Sequence, residues 1–418
     1  MQYIADFHLH SKYARACSKE LTLENIEVAA KQKGIGLIGT GDFCHPAWYK
    51  EIASKLEEAY PGLYKLKDSK NSGVLFLLSN EISCIYSQGG KTRRVHICIL
   101  APNLDFVTKL NTALEKRGCK LASDGRPIIG MSAKELLKIC LEINEKHLTI
   151  PAHIWTPWFA MFGSKSGFDS IEECYEELTP YIHAVETGLS SDPIMNWRVS
   201  NLDKVMLVSN SDAHSLENLG REANVWELKE PSFNEIYKMF KARDKKKFLY
   251  TIEFFPEEGM YHIDGHRECD FSCLPEQTKK LNGICPKCKK PLTIGVLNRV
   301  DNLADRKEKD INSSNFVPYK SVVPLREIIA DALNVGKQSK QVKQLYQQMI
   351  RLGESEFNVL LNLTEEEITK ISSDTIAKGI VRIRNKEVEL IPGFDGRYGS
   401  IKLFADSEKI KFKQVSLF

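Results

Sequence analysis

Tyr3-Ile4-Ala5-Asp6-Phe7-His8-Leu9-His10 is a short apolar run that ends in two histidines placed two residues apart. Residues i and i+2 of a strand point to the same face, so both imidazoles reach one point. Further short, β-rich runs follow at 36–40, 74–78, 95–100, 149–152, 184–186 and 205–209, and each has a histidine or a carboxylate close by. Asp42 and His45 follow the second run, Glu81 the third, His96 starts the fourth, and His153 follows the fifth. Glu186 ends the sixth, and Asp212 with His214 follows the seventh. Between the runs lie helical patterns, such as 22–33 with Leu23, Ile26, Ala29 and Ala30, and 132–146 with Leu136, Leu137, Cys140 and Ile143. This βα repeat over residues 1–255 predicts a closed parallel barrel, in which functional side chains gather at the C-terminal ends of the strands.

Six of the ten histidines fall at these positions. Any one of them alone reads more readily as a hydrogen-bonded core histidine; their recurrence favours a shared site. Packed at one rim without cations, six imidazoles and the carboxylates of Asp42, Glu81, Glu186 and Asp212 would cost on the order of several kcal/mol per buried charge. Mixed nitrogen and oxygen ligation suits Zn2+, Mn2+ or Fe2+ better than Ca2+ or Mg2+, which prefer all-oxygen shells, although Mg2+ stays open beside Mn2+, and this many ligands fit two or three ions that share bridging carboxylates. Asp192, in Ser190-Ser191-Asp192-Pro193, reads as a further ligand, a substrate-positioning residue, or a turn aspartate before proline.

The 418 residues, 42% of them hydrophobic, are enough for two or three domains. The 58 basic residues exceed the 55 acidic ones by only 3, so basic surface for a polyanionic partner has to be local. No run of some 18 apolar residues offers a membrane span, and the N-terminal residues read as a strand rather than as a signal segment. A cytoplasmic protein is expected. Seven of the eleven cysteines (Cys17, Cys44, Cys84, Cys98, Cys119, Cys140, Cys174) stand alone among apolar neighbours, as reduced buried thiols do.

The other cysteines cluster. His266-Arg267-Glu268-Cys269 and Cys285-Pro286-Lys287-Cys288, separated by 15 residues, form an HxxC and a CxxC pair suited to a tetrahedral structural Zn2+ site. Cys273 competes with His266 as the fourth ligand. Residues 277–300 carry six basic side chains, Lys279, Lys280, Lys287, Lys289, Lys290 and Arg299, and no acidic one. They read as a phosphate-contacting strip or as a solvated face that offsets the thiolates.

The chain therefore divides into a barrel (1–255), a zinc-binding module (256–300), a linker (301–320) and a mostly helical C-terminal domain (321–418). In the last, 339–352 places Val342, Leu345, Tyr346, Met349 and Leu352 on one helix face. Pro392-Gly393-Phe394-Asp395-Gly396-Arg397-Tyr398-Gly399 suits turns rather than a phosphate loop, since no GKS or GKT follows. The final residues Gln414 to Phe418 loosely match a sliding-clamp-binding tail.

In order, the motifs of residues 1–255 are similar to those of PHP-domain (polymerase and histidinol phosphatase) phosphoesterases: HxH, Asp and His after the second strand, Glu81, Val95-His96-Ile97, Pro151-Ala152-His153 and Ser211-Asp212-Ala213-His214. The resemblance implies a distorted (βα)7 barrel with a trinuclear site and metal-assisted phosphoester hydrolysis. It implies one metal on His8, His10, Glu81 and Asp212, a second on Glu81, His96 and His153, and a third on His45 with His214, with Asp42 as an alternative ligand. Many members write the second motif as a contiguous Thr-Asp-His. Here it is Thr40-Gly41-Asp42-Phe43-Cys44-His45, which leaves open whether Asp42 or His45 ligates.

Tyr261-His262-Ile263-Asp264-Gly265-His266-Arg267, the Cys285 to Cys288 turn, Gly295-Val296-Leu297-Asn298-Arg299-Val300 and Leu303-Ala304-Asp305-Arg306 extend the likeness over nearly the whole chain, which resembles the endonuclease Q family. That resemblance implies nicking of DNA on the 5′ side of deaminated bases (uracil, hypoxanthine, xanthine) and abasic sites. Damaged DNA is then the partner, the lesion base is flipped out of the stack, and the catalytic candidates are His8, His10, Asp212 and Asp192. Trp155, Trp158 and Phe159, just after His153, are expected to wall a base pocket or to pack beneath the rim. Two other readings stay open: a phosphatase for a small phosphate monoester, and a non-catalytic, zinc-stabilised DNA-binding protein.

Overall fold

The computed structural model describes residues 1–69 and 73–410; the clamp-like tail at 414–418 lies outside them. The fold is mixed α/β around a central sheet. All seven runs expected as strands are strands. Gln2–Asp6 pairs in parallel with Leu37–Gly39, and that strand pairs in parallel with Leu75–Gln88. On the other side of Gln2–Asp6, Ala223–Glu227 and then Phe248–Glu253 add antiparallel.

The parallel succession expected from the sequence is broken at the third strand. Leu75–Gln88 turns through Gly89 and Gly90, at φ of 61° and 72°, directly into Lys91–Ala101, which returns antiparallel with Ser83 opposite His96. Positive φ is open to glycine at little cost, so a tight hairpin replaces the helical crossover that a parallel pair needs. As a result Glu81 and His96 sit within long strands and not at strand ends. Leu148–Pro151 pairs antiparallel with Lys91–Ala101, while Ala184–Glu186 and Met206–Val208 form a separate parallel pair.

Ala5, Leu37, Leu77, Leu100, Ile150, Ala184 and Val208, one from each of the seven strands, meet in a single interior cluster. Neighbours of opposite parity, Ile38, Leu78, Ile99 and Val185, face an outer layer that includes Ile26 and Leu136. Those two residues lie on Leu23–Lys33 and Ala133–Ile143, helices that begin where Thr22 and Ser132 accept hydrogen bonds from Asn25 and Glu135 N–H. Among the described residues no helix is long and apolar enough to cross a membrane.

A small antiparallel pair, Asp264–His266 with Phe271–Cys273, begins the cysteine-rich segment. Residues 301–320, expected as a linker, are tied down: Asp305 accepts from Ser200 N–H at 2.9 Å, and Tyr319–Ser321 joins the central sheet in parallel with Phe248–Glu253. The helices Leu325–Leu333, Lys340–Leu352 and Asp374–Arg384 build a third core, bound to the first helix by Lys33 and the buried Glu356 at 2.8 Å. The glycine-rich turn docks closely on residues 257–260, where a Cβ at Gly399 would lie 2.1 Å from the Glu257 carbonyl oxygen.

Candidate metal centres

Leaving the first strand, His10 N–H bonds the Ala213 carbonyl at 3.0 Å, which brings the HxH run beside the Asp212 loop. His8 Nε2 lies 3.4 Å from Glu81 Oε2 and 3.5 Å from Asp212 Oδ1; His10 Nε2 lies 3.3 and 3.2 Å from the same two atoms. The other oxygen of Glu81 faces a second group. Its Oε1 is 2.6 Å from His96 Nδ1 and 3.1 Å from His153 Nε2. In each set, one ligand atom per residue lies within 4.8 Å of all the others, a spacing that fits a divalent ion. His8 Nε2 is buried, has no hydrogen-bond partner and points into the first set, as a ligand atom should.

Carboxylates hold the far side of both HxH rings. His8 Nδ1 is 2.9 Å from Glu186 Oε2 and His10 Nδ1 is 3.0 Å from Asp42 Oδ1. With Nδ1–H donated outward, Nε2 is the ring nitrogen turned toward the centre, which is how ligating histidines are oriented. Glu186 also accepts His153 N–H at 2.8 Å and Asn210 Nδ2–H at 2.9 Å, and Asp42 accepts Ser11 N–H at 2.6 Å. Burial disfavours charge on His8 and His10. Around His8 the Cys98 sulfur, then Glu186 and Glu81, and around His10 chiefly Asp42, outweigh it and hold both imidazoles well above their usual range. Burial likewise opposes ionisation of Glu81, yet His96, His8 and Arg126 keep its carboxyl well below the usual range. The nest is thus a concentrated anionic site balanced by protons on nitrogen, and divalent ions displace such protons on binding.

The structure gathers His8, His10, Glu81, His96, His153, Glu186 and Asp212 at one place. His214 lies near it, its ring 4.6 Å from that of His10 and tilted to it. His45 lies against Tyr13 at 4.5 Å with Nδ1 buried and without a partner, and among the described residues no cluster of three ligand-type residues contains His45, His214 or Asp42. Asp192 accepts Met195 N–H at 2.8 Å and caps the helix Pro193–Trp197. Two contributors escaped the sequence reading. Asn210 positions Glu186 and accepts Phe7 N–H at 2.9 Å, and its place two residues before Asp212 was a usable signal. Arg126 Nη1 donates to Glu81 Oε2 at 3.1 Å from a loop with no ligand-type pattern around it.

The three aromatics after His153 separate. Trp155 is fully buried with Nε1–H bonded to Asn196 Oδ1 at 2.8 Å, so of the two expectations it follows the packing beneath the rim. Trp158 is 38% exposed and meets Tyr261 edge to face at 5.5 Å. The Phe159 ring lies 4.9 Å from that of His96.

In the second cluster, His266, Cys269, Cys285 and Cys288 converge, with Cys288 Sγ 3.9 Å from His266 Nδ1. Cys273 stands outside, 3.2 Å from Thr278 Oγ1. Burial raises the Cys285 thiol, but the Cys288 and Lys287 N–H groups aimed at its sulfur outweigh that and pull it below its usual range, favouring the thiolate that metal needs. Of the basic strip, Lys279 pairs with Asp301 at 2.8 Å, Lys290 with Glu268 at 3.4 Å, and Lys287 donates to the Cys269 carbonyl at 2.7 Å. Lys280 and Lys289 are exposed. Arg299 turns inward, donating to the Phe162 and Phe168 carbonyls at 2.9 and 2.8 Å.

Residues 324–387 match a family described as the MJ0043 C-terminal domain. The uncharacterized protein MJ0043 of Methanocaldococcus jannaschii is 34% identical over 272 residues, which are 62% of this chain, and the chain spans about a third (33%) of that protein's length. Among solved structures, the lesion-specific endonuclease PfuEndoQ from Pyrococcus furiosus is 31% identical with a TM-score of 0.86, over 99% of this chain and 98% of that one. Endonuclease Q in complex with a 27-mer duplex substrate, with an abasic lesion at the active site, is 32% identical with a TM-score of 0.85 over 100% of both chains. A likeness of that extent, in fold and in sequence, means that the chain belongs to the endonuclease Q family.

Proposed function

We propose that this metal-dependent nuclease hydrolyses the DNA phosphodiester on the 5′ side of deaminated bases (uracil, hypoxanthine, xanthine) and abasic sites, after the lesion has been flipped out of the stack. The observation that carries the reading is Glu81, which presents one oxygen to His8 and His10 and the other to His96 and His153. A carboxylate so placed would be able to serve two ions, one on each oxygen. His8, His10, Glu81 and Asp212 would hold one ion and Glu81, His96 and His153 another, with His45, His214 and Asp42 nearby for a third. Zn2+, with Mn2+ or Mg2+ as alternatives, would there activate water at neutral pH and neutralise charge on the phosphate. Glu186 and Asp42 keep the two ring nitrogens aimed inward while this happens.

The seven strands and their common interior cluster support a distorted (βα)7 barrel for residues 1–255. A structural Zn2+ on His266, Cys269, Cys285 and Cys288 suits the second cluster. Damaged DNA is the partner in this reading, contacted at the Trp158 and Phe159 rim and along the exposed lysines.

The test is a 5′-labelled duplex carrying uracil, hypoxanthine, an abasic site or no lesion, incubated with Mn2+, Mg2+ or chelator. Cleavage is expected only 5′ to the lesion, leaving an end that a polymerase extends. Asp212→Ala is expected to abolish the nick while much of the DNA binding remains. Equal cutting of undamaged duplex, or full activity in the variant, sinks the proposal.

A further inference from the structure

The glycine-rich turn at 392–399 lies some 240 residues downstream of His153, yet the fold brings it to the same rim. Its backbone is fastened at several points. Gly393 N–H bonds the Glu257 carbonyl at 2.8 Å, Gly396 N–H bonds Met260 at 3.0 Å, and Gly399 N–H bonds Glu258 at 3.0 Å. Asp395 accepts from Arg267 N–H and from the Thr293 hydroxyl, both at 2.6 Å, which fixes the turn to the cysteine-rich module. Within the turn, Phe394 and Arg397 exchange backbone hydrogen bonds at 3.1 and 2.9 Å.

This rigid mount carries Tyr398 with 77% of its surface exposed, the most exposed large aromatic among the described residues. The Arg397 guanidinium beside it donates to the Arg267 carbonyl and to Asp270. Gly396 sits so near Tyr261 that a Cβ there would lie 3.7 Å from the phenol oxygen. Tyr261 in turn holds Trp158, whose carbonyl accepts from the Thr156 hydroxyl at 2.9 Å, and that hydroxyl lies 3.3 Å from His153 Nδ1. From His153 the neighbours Thr156, Trp158 and Tyr261 thus lead to the turn at Gly396, two residues before Tyr398.

An aromatic ring held outward on a fixed turn loses little entropy when a flat partner stacks on it, and every nucleobase has such a face. From this, and on the reading that the chain nicks damaged duplexes, we propose that the 392–399 turn is a DNA-contacting element: Tyr398, with Trp158 and Tyr261, stacks on bases left unpaired around the lesion, and the cationic side chains of Arg397 and Arg267 face the backbone.

The test uses the full-length protein and a uracil-containing duplex with 2-aminopurine opposite the uracil, whose fluorescence reports loss of stacking. Tyr398→Ala is expected to slow nicking about 10-fold or more and to change the bound-state fluorescence, whereas Tyr398→Phe, which keeps the ring, restores both. Zinc content and thermal melting of the two variants should equal those of the wild type, because the replaced side chain is exposed. Wild-type nicking by Tyr398→Ala overturns the inference and leaves the nuclease reading standing. A Tyr398→Phe variant as slow as Tyr398→Ala overturns it too, by assigning the effect to the hydroxyl. Failure of the wild type to nick on the same gels overturns the nuclease reading itself.

Discussion

Replacing Asp42 by Asn tests whether this residue orients a ligand or is one. Asp42 Oδ1 accepts from His10 Nδ1 at 3.0 Å and Oδ2 from Ser11 N–H at 2.6 Å, and Ser11 is fully buried. Asparagine keeps the shape but has one acceptor oxygen, so one of the two buried donors must face an NH2 group. A buried donor left unpaired costs about 1–3 kcal/mol. If the lost bond is the one to His10, the ring is free to turn or to change tautomer, and its Nε2 is no longer aimed at Glu81 and Asp212. Loss of such outer partners typically weakens metal binding by about 10–100-fold. The assay is the nicking rate of a uracil duplex titrated with Mn2+ after removal of bound metal. The half-saturating Mn2+ concentration should rise by that factor, with the maximal rate largely recovered at saturation. A metal dependence equal to the wild type's refutes the orienting role. Activity lost at every Mn2+ concentration instead makes Asp42 a ligand, with His45 then dispensable.

Cys285→Ser should lower bound zinc toward zero per chain and weaken DNA binding, because the cluster supports Arg267 and the turn fastened to it; unaltered zinc content would refute the ligand set. Trp155→Phe leaves the buried Asn196 Oδ1 without its donor and should destabilise the chain by about 1–3 kcal/mol in urea denaturation. Lesion preference should not change in that variant, and a change would return Trp155 to the pocket. Stability should also depend on Glu253, which burial pushes up to about 8, beside Glu222, which burial and Glu253 raise well above the carboxylate range. With the folded value raised, stability from this group is complete below about pH 4.5 and declines as pH climbs toward 8, by at most about 1.4 kcal/mol per pH unit for each proton involved. Glu253→Gln should flatten that decline in melts between pH 5 and 8; an identical slope rules the pair out as its source.

Much of the fold was legible because local signals agreed with tertiary ones. The seven strands carried apolar runs, and the helical patterns at 22–33, 132–146 and 339–352 overlap helices that the structure starts at caps on Thr22, Ser132 and Ser339. The hairpin was not legible, since the first ten residues of Leu75–Gln88 are all buried and a strand covered on both faces shows no alternation. The strand Ala223–Glu227 was missed for a related reason: it is short, and its place beside Gln2–Asp6 rests on pairing across more than two hundred residues. In the site, residue type and spacing pointed to the histidines and carboxylates, but not to the division between those facing the centre and those behind the rings. Nothing local distinguishes Trp155 from Trp158 either. Asn196, on a distant helix, receives one indole, while the other is left at the surface against Tyr261.

Backbone strain at the site argues that its geometry is imposed by the fold. Asp42, His153 and Asp212 have φ of 48°, 29° and 45°. Non-glycine residues in this region cost on the order of 1–3 kcal/mol each and persist only where surrounding contacts over-determine them. Such contacts are present at all three. Trp48 Nε1–H bonds the Gly41 carbonyl at 2.9 Å, Glu186 accepts His153 N–H at 2.8 Å, and Arg221 Nε–H bonds the Ser211 carbonyl at 2.9 Å. Each strained residue lies just beyond a strand, and with the left-handed kink His153 and Asp212 face Glu81 while Asp42 faces the outer nitrogen of His10. A site held this way can receive ions without rearrangement, so its ligand positions should be nearly the same with and without metal.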